Sequence, residues 1–168
     1  MGALRYGGAF KMATSNVLGA SLESRTAKAS GMDTLTPAER SERMGRVRST
    51  DTRLEMVVRR LVHGMGYRYR LHRKGLPGKP DLVFTSRHKV IFIHGCFWHR
   101  HDDPTCRLAR LPKSRLDFWL PKLSENKARD DRVQQRLADQ GWATMTIWEC
   151  QVRDTEALKR RIREFLDS

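Results

Sequence analysis

Two short apolar runs separated by a turn, followed by a long amphipathic segment and a third apolar run, leave this chain few ways to fold. The first two are "DLVF" (81–84) and "KVIFIHG" (89–95), with a turn at 86–88 between them, and they read as a hairpin of buried strands. Residues 114–140 carry a helical pattern, interrupted at Pro121 and closed by Gly141, and "WATMTIW" (142–148) is the third strand. A strand, a long helix and another strand imply a parallel crossover, so the sheet is mixed.

The flanking segments fill out an α/β sandwich, a central mixed sheet flanked by helices. Thr52-Arg-Leu-Glu55 is a capping box; it opens a helix with Leu54, Val57, Val58, Leu61 and Met65 on one stripe, ended by Gly64 and Gly66. "YRYRLH" (67–72) alternates as a strand with one wet, basic face. Asp154 caps a last amphipathic helix with Leu158, Ile162, Phe165 and Leu166 inward. The expected order is helix, three strands, helix, strand, helix, with no internal repeat.

Upstream, Thr36-Pro-Ala-Glu39 is another capping box, opening a polar, arginine-rich helix over about 37–48. Such a helix is either a solvated face or an arm lying on phosphates. Residues 1–31 have one acidic and four basic residues and no sustained period, and are expected to form a disordered extension preceding a domain over 32–168. Faintly like a mitochondrial transit peptide in composition, the extension lacks clear amphipathicity and reads as a tail or as a start upstream of Met32.

Charge narrows the partner. Lys and Arg number 33 against 19 Asp and Glu, a formal charge of +14, which favours a polyanion, nucleic acid ahead of an anionic membrane. Without residues 1–31 the balance is 29 basic to 18 acidic, so the excess belongs to the folded part. No run approaches the roughly 18 apolar residues of a spanning helix. Three cysteines cannot all pair within one chain; a metal or free thiols in a reducing compartment fit better than disulfides.

Chemistry concentrates in "HGCFWHRHDDPTC", residues 94–106. Cys96, His101, Cys106 and the distant Cys150 make a Cys₃His set suited to zinc, although by spacing alone His99 could replace His101. Pro80-Asp81 at the head of a buried strand is the opening of a magnesium nuclease site, a weak signal alone. Such a nuclease would continue with an acidic residue, a spacer and a lysine, where this chain has Phe92, Ile93 and His94. Glu55 has a capping role already, yet it lies beside Val62 at the edge of the apolar stripe and can also look toward the sheet end.

Taken in order, "PGKPDLVF", "VIFIHGCFWHRH", "DFWLPKLSENKARD" and "GWATMTIWEC" resemble the very short patch repair (Vsr) DNA mismatch endonucleases over about residues 37–165. The resemblance implies a restriction-endonuclease-like fold with a structural zinc and nicking of one strand 5′ of the thymine in a T:G mismatch. It implies magnesium held by Asp81 and the backbone carbonyl of Ile93, where family members often have threonine. By the same resemblance His99 is general base or orienter of the attacking water, and His94 a second catalytic histidine beside the leaving phosphate. Glu55 becomes an active-site carboxylate bonded to the histidines or to metal-bound water, and His101 the fourth zinc ligand. Phe97, Trp98 and Trp119 become a wedge that opens the duplex, with Met44 entering from the minor groove. Also implied are a monomer in the bacterial cytoplasm, double-stranded DNA as partner, a MutL-type mismatch-repair protein, and a cytosine methyltransferase in the same cell. The alternatives are a related nuclease acting on another DNA structure and a zinc-stabilised DNA-binding module without catalysis.

Overall fold

In a computed structural model of the chain, the described residues are Thr36, Glu39, Glu42 and 51–168. The expected extension over 1–31, most of the expected first helix and Met44 lie outside them. Both bonds of the upstream capping box are nevertheless formed: Glu39 N–H donates to Thr36 Oγ1, and Thr36 N–H donates to Glu39 Oε2.

Thr52 starts helix α1 (Arg53–Gly64) by accepting from Glu55 N–H through its side chain. The inward stripe of α1 is rotated slightly from the expected one: Val62 is fully buried while Val57 is exposed. Val58 and Val62 form its centre, with Leu54, Leu61 and Met65 packed alongside. The 67–72 segment is not a strand. Tyr69 does turn inward, edge-on to Phe84, but Arg70 makes a single antiparallel bridge to Val83 before His72 leaves in left-handed conformation (φ 48°). One bridge is too little for a ladder, so among the described residues the sheet has three strands.

Those strands are β1 (Leu82–Phe84), β2 (Lys89–His94) and β3 (Ala143–Trp148). β1 pairs antiparallel with β2 across a turn that His88 closes at φ 52°, and β2 pairs parallel with β3 from Lys89↔Ala143 to His94↔Trp148. The crossover is α2 (Leu116–Asp139), ended by Gly141 at φ 76°. Pro121 does not interrupt it. A proline inside a helix forfeits its own bond to the carbonyl four residues back; here the loss falls in the second turn on an exposed face, where water can serve that carbonyl. Asp154 caps α3 (Thr155–Asp167) by accepting from Ala157 N–H.

The period of two sorts the strand residues between two cores. Leu82, Phe84, Ile91, Ile93, Met145 and Ile147 meet α1 and α3 on one face. Val83, Val90 and Phe92 meet Leu137, Val133 and Trp142 on the other, the α2 side. His94 continues the parity of Val90 and Phe92, which puts it on the α2 face at the end of the sheet.

The loop before β1 is fastened to α2 where Gly78 passes Val133. A Cβ on Gly78 would lie 2.2 Å from Val133 Cγ1, and its φ of 70° is itself unfavourable to other residues. Gly78→Ala is expected to cost about 1–3 kcal/mol in denaturant unfolding. Gly64→Ala, with nothing within 4 Å of the added carbon, should be neutral or stabilising in the same assay.

Candidate active site

A cavity of about 1060 Å³ opens at the end of the sheet that carries His94. Asp81, His94, His99, Asp130 and Glu55 all line it. Asp81 enters just ahead of β1, and its Oδ2 accepts from Ile93 N–H at 2.7 Å across the hairpin. Burial, against the pull of that N–H, pushes its carboxyl up to about 6, with the charge of Glu55 adding to the rise. A half-buried carboxylate displaced this far from its ordinary ionisation is a fitting ligand for a hard cation, which would offset the desolvation.

His94 and His99 are stacked, ring centroids 3.8 Å apart and planes 13° from parallel. Burial first, and then His99 beside it, lower His94 to about 4, so it is a neutral imidazole at physiological pH. His99 Nδ1 lies 2.5 Å from Asp130 Oδ2. Burial alone would raise Asp130, but its hydrogen bond with His99 and the neighbouring His99, His94 and Arg129 bring it below the ordinary carboxylate value. An ionised Asp130 can only accept, so Nδ1 is the donor of this pair and Nε2 is the ring nitrogen left for other partners. His94, His99 and Asp130 also lie close enough together to hold a metal, but within that group His99 and Asp130 already satisfy one another.

Asp130 was not among the residues singled out from the sequence. Leu123 and Leu137, seven positions before and after it on α2, are fully buried. A carboxylate at the midpoint of a buried heptad spacing is the signal that could have found it, because an acid on the inward side of a helix needs a partner. Asn126 follows the same logic and donates from Nδ2 to the Trp98 carbonyl at 3.1 Å.

Glu55 lines the cavity, and of the two partners expected for it, the histidines or metal-bound water, the histidines are not among its hydrogen-bond partners. Arg59 Nη2 donates to its Oε2 at 2.7 Å, Asp51 N–H donates to the same oxygen, and the Thr52 hydroxyl donates to Oε1. A buried guanidinium one turn along the helix satisfies the carboxylate locally.

Beyond β2 the chain makes a tight loop in which Arg100 takes a left-handed φ of 52°. Cys96, His101, Cys106 and Cys150 converge there, every ligand atom within 4.8 Å of the others. No disulfide joins the three cysteines. Burial pushes the Cys96 thiol up to about 12. Three thiols and an imidazole at this closeness are an S₃N donor set of the kind that suits zinc. His99 stands outside that cluster. Trp148 lies between the two histidine sites, stacked on His101 and edge-on to His94. Phe97, Trp98 and Trp119 form a half-buried triangle with centroids 5.0–5.9 Å apart.

No helix among the described residues is long and apolar enough to cross a membrane. The family model described as DNA mismatch endonuclease Vsr matches residues 32–105. A type II nicking enzyme of Xanthomonas oryzae, V.XorIIP, is 53% identical over 135 residues, covering 80% of this chain and 97% of the relative. The DNA mismatch endonuclease Vsr of Escherichia coli is 39% identical over 134 residues, covering 77% of this chain and 84% of the relative. With relatives of that identity and coverage, the chain belongs to the Vsr family of DNA mismatch endonucleases.

Proposed function

We propose that this chain is a magnesium-dependent, zinc-stabilised DNA endonuclease of restriction-endonuclease-like fold that nicks duplex DNA 5′ of the thymine in a T:G mismatch. One observation carries the reading: a half-buried carboxylate, a stacked histidine pair and a histidine–aspartate dyad face a single cavity. The relatives contribute the substrate class, one being named a mismatch endonuclease and another a nicking enzyme.

Asp81 and the backbone carbonyl of Ile93 would hold the magnesium. When bound, that ion would polarise the scissile phosphate and offset the charge gathering on it. The protein's own groups account for the proton. His99 Nε2 accepts it from water as the water oxygen bonds to phosphorus, and Asp130 holds the imidazole in the required tautomer and stabilises the imidazolium. The bond from phosphorus to the 3′-oxygen breaks, leaving a 5′-phosphate. His94, neutral and stacked on His99, orients the phosphate by hydrogen bonding without adding positive charge. Glu55 contributes a fixed negative charge to the cavity wall.

Phe97, Trp98 and Trp119 would form the wedge, since unstacking a step costs a few kcal/mol and a mispair lowers that cost. Zinc on Cys96, His101, Cys106 and Cys150 would anchor the loop without touching the phosphate. Duplex DNA is the partner of this reading, with a MutL-type protein and a cytosine methyltransferase as its cellular context.

Asp81→Ala and His99→Ala should each abolish nicking while mismatch binding survives; equal loss of both would remove these residues from the chemistry. A proton on Asp81 competes with the cation, so nicking at subsaturating magnesium should fall as pH decreases through about 6, and more magnesium should move that midpoint lower. His94, titrating near 4, adds no inflection there. A rate flat between about pH 5 and 7 would contradict this assignment.

One zinc per chain is expected by elemental analysis, and Cys150→Ser should lower its affinity together with the melting temperature. Trp98→Ala should remove roughly 1–3 kcal/mol of binding from T:G duplex and spare matched duplex. A large fall in melting temperature with discrimination intact would make Trp98 a packing residue instead.

A further inference from the structure

A buried arginine stands behind the acidic wall of the cavity. Arg59 is 5% exposed and Glu55, one turn earlier on α1, is 6% exposed. Besides its bond to Glu55, the guanidinium pairs through Nη1 with Asp51 Oδ1, and its Nε has no hydrogen-bond partner among the described residues. Met56 Sδ lies 3.8 Å from Nη1, and the Tyr69 hydroxyl donates to the Arg59 carbonyl at 3.1 Å.

Stability does not account for a guanidinium at this place. Thr52 already caps the helix. Position 59 is flanked on α1 by the core residues Val58 and Val62, where an apolar side chain would avoid the desolvation cost of an ion. A buried pair seldom returns more than a well-packed apolar replacement would. What the fork does, and methionine or leucine cannot, is bind two carboxylates at once and fix the charge and angle of one.

Its effect reaches the cavity. Glu55 and Asp81 both line that space, and Arg59 holds Glu55 from behind, so the charge set on one carboxylate bears on the site of the other. Two carboxylates facing one cavity with no cation beside them would repel one another and draw a divalent ion more strongly.

We propose that Arg59 is a positioning residue: its fork locks Glu55 in the cavity wall, and its charge limits how strongly the pocket at Asp81 draws a divalent cation. This inference rests on the magnesium reading of that pocket. It concerns a residue that is itself absent from the cavity lining.

The test uses the full chain at about pH 8, where carboxylates are ionised. Melting temperature is measured without DNA in graded MgCl₂, and nicking is measured at saturating magnesium. In the wild type, magnesium should raise the melting temperature and be required for nicking; if it does neither, the magnesium reading fails whatever Arg59 does. Given that response, Arg59→Met leaves Glu55 hydrogen-bonded by Thr52 and the Asp51 N–H but without its counter-charge, so the magnesium-induced shift should be about twice the wild-type shift or more. Nicking should fall on the order of tenfold to a hundredfold with DNA affinity retained. Arg59→Lys keeps the charge but cannot bridge both carboxylates, so the shift should return to wild type while nicking stays low. The double variant Glu55→Gln/Arg59→Met removes both charges, and its shift should not exceed that of the wild type. Arg59→Met melting lower by the same amount at every magnesium concentration, and nicking normally once folded, would overturn the inference. If Arg59→Met does not fold, the lysine variant decides: wild-type nicking by Arg59→Lys overturns the proposal, and a wild-type shift with impaired nicking sustains it.

Discussion

The parallel pairing of β2 with β3 governs the end of the molecule where everything else converges. Its last register pair, His94 opposite Trp148, delivers Gly95-Cys96 and Glu149-Cys150 side by side as the two strands run out. Cys150 N–H then lies 3.4 Å from Cys96 Sγ, and Cys96 N–H donates to Glu149 Oε2 at 3.4 Å. A slip of one residue in this ladder would reverse the side-chain parity of β3 relative to β2 and separate the cysteines. The core and the cluster therefore specify one register together.

From that register the cavity follows by parity. His94 falls on the α2 face, and α2 answers with Asp130 in the line of its buried leucines. The loop after β2 then lays His99 flat on His94 and within reach of Asp130. Two helices on opposite faces of the sheet, α1 through Glu55 and α2 through Asp130, contribute to one site because both reach its end.

Much of this was legible in the residues. The hairpin, the crossover, the caps at Thr52 and Asp154 and the inward face of α3 follow from local rules, since period and capping chemistry act within a few residues. The 67–72 segment misled because alternation reports burial, and Tyr69 is indeed turned inward, while ladder formation depends on a partner edge that only tertiary structure supplies. Pro121 misled because helix termination by proline presumes a costly unmet carbonyl, and on a wet face the cost is small. In the cavity, side chains grouped in sequence were visible and those grouped only in space were not. Asp130 is 31 residues from His99. The partnership of Arg59 with Glu55 had an i,i+4 spacing in view, but nothing in a string of letters says that such a pair is dry.

The loop over residues 96–101 holds three unrelated duties in six consecutive positions: Cys96 and His101 belong to the sulfur cluster, Phe97 and Trp98 to the aromatic triangle, His99 to the dyad. Interleaving of this kind has a consequence for how such a chain can change over time. Individual side chains can be exchanged one duty at a time. Inserting or deleting a single residue would rotate every duty onto the wrong neighbour at once. Surface loops ordinarily vary most freely in length, and here length is the property least open to drift.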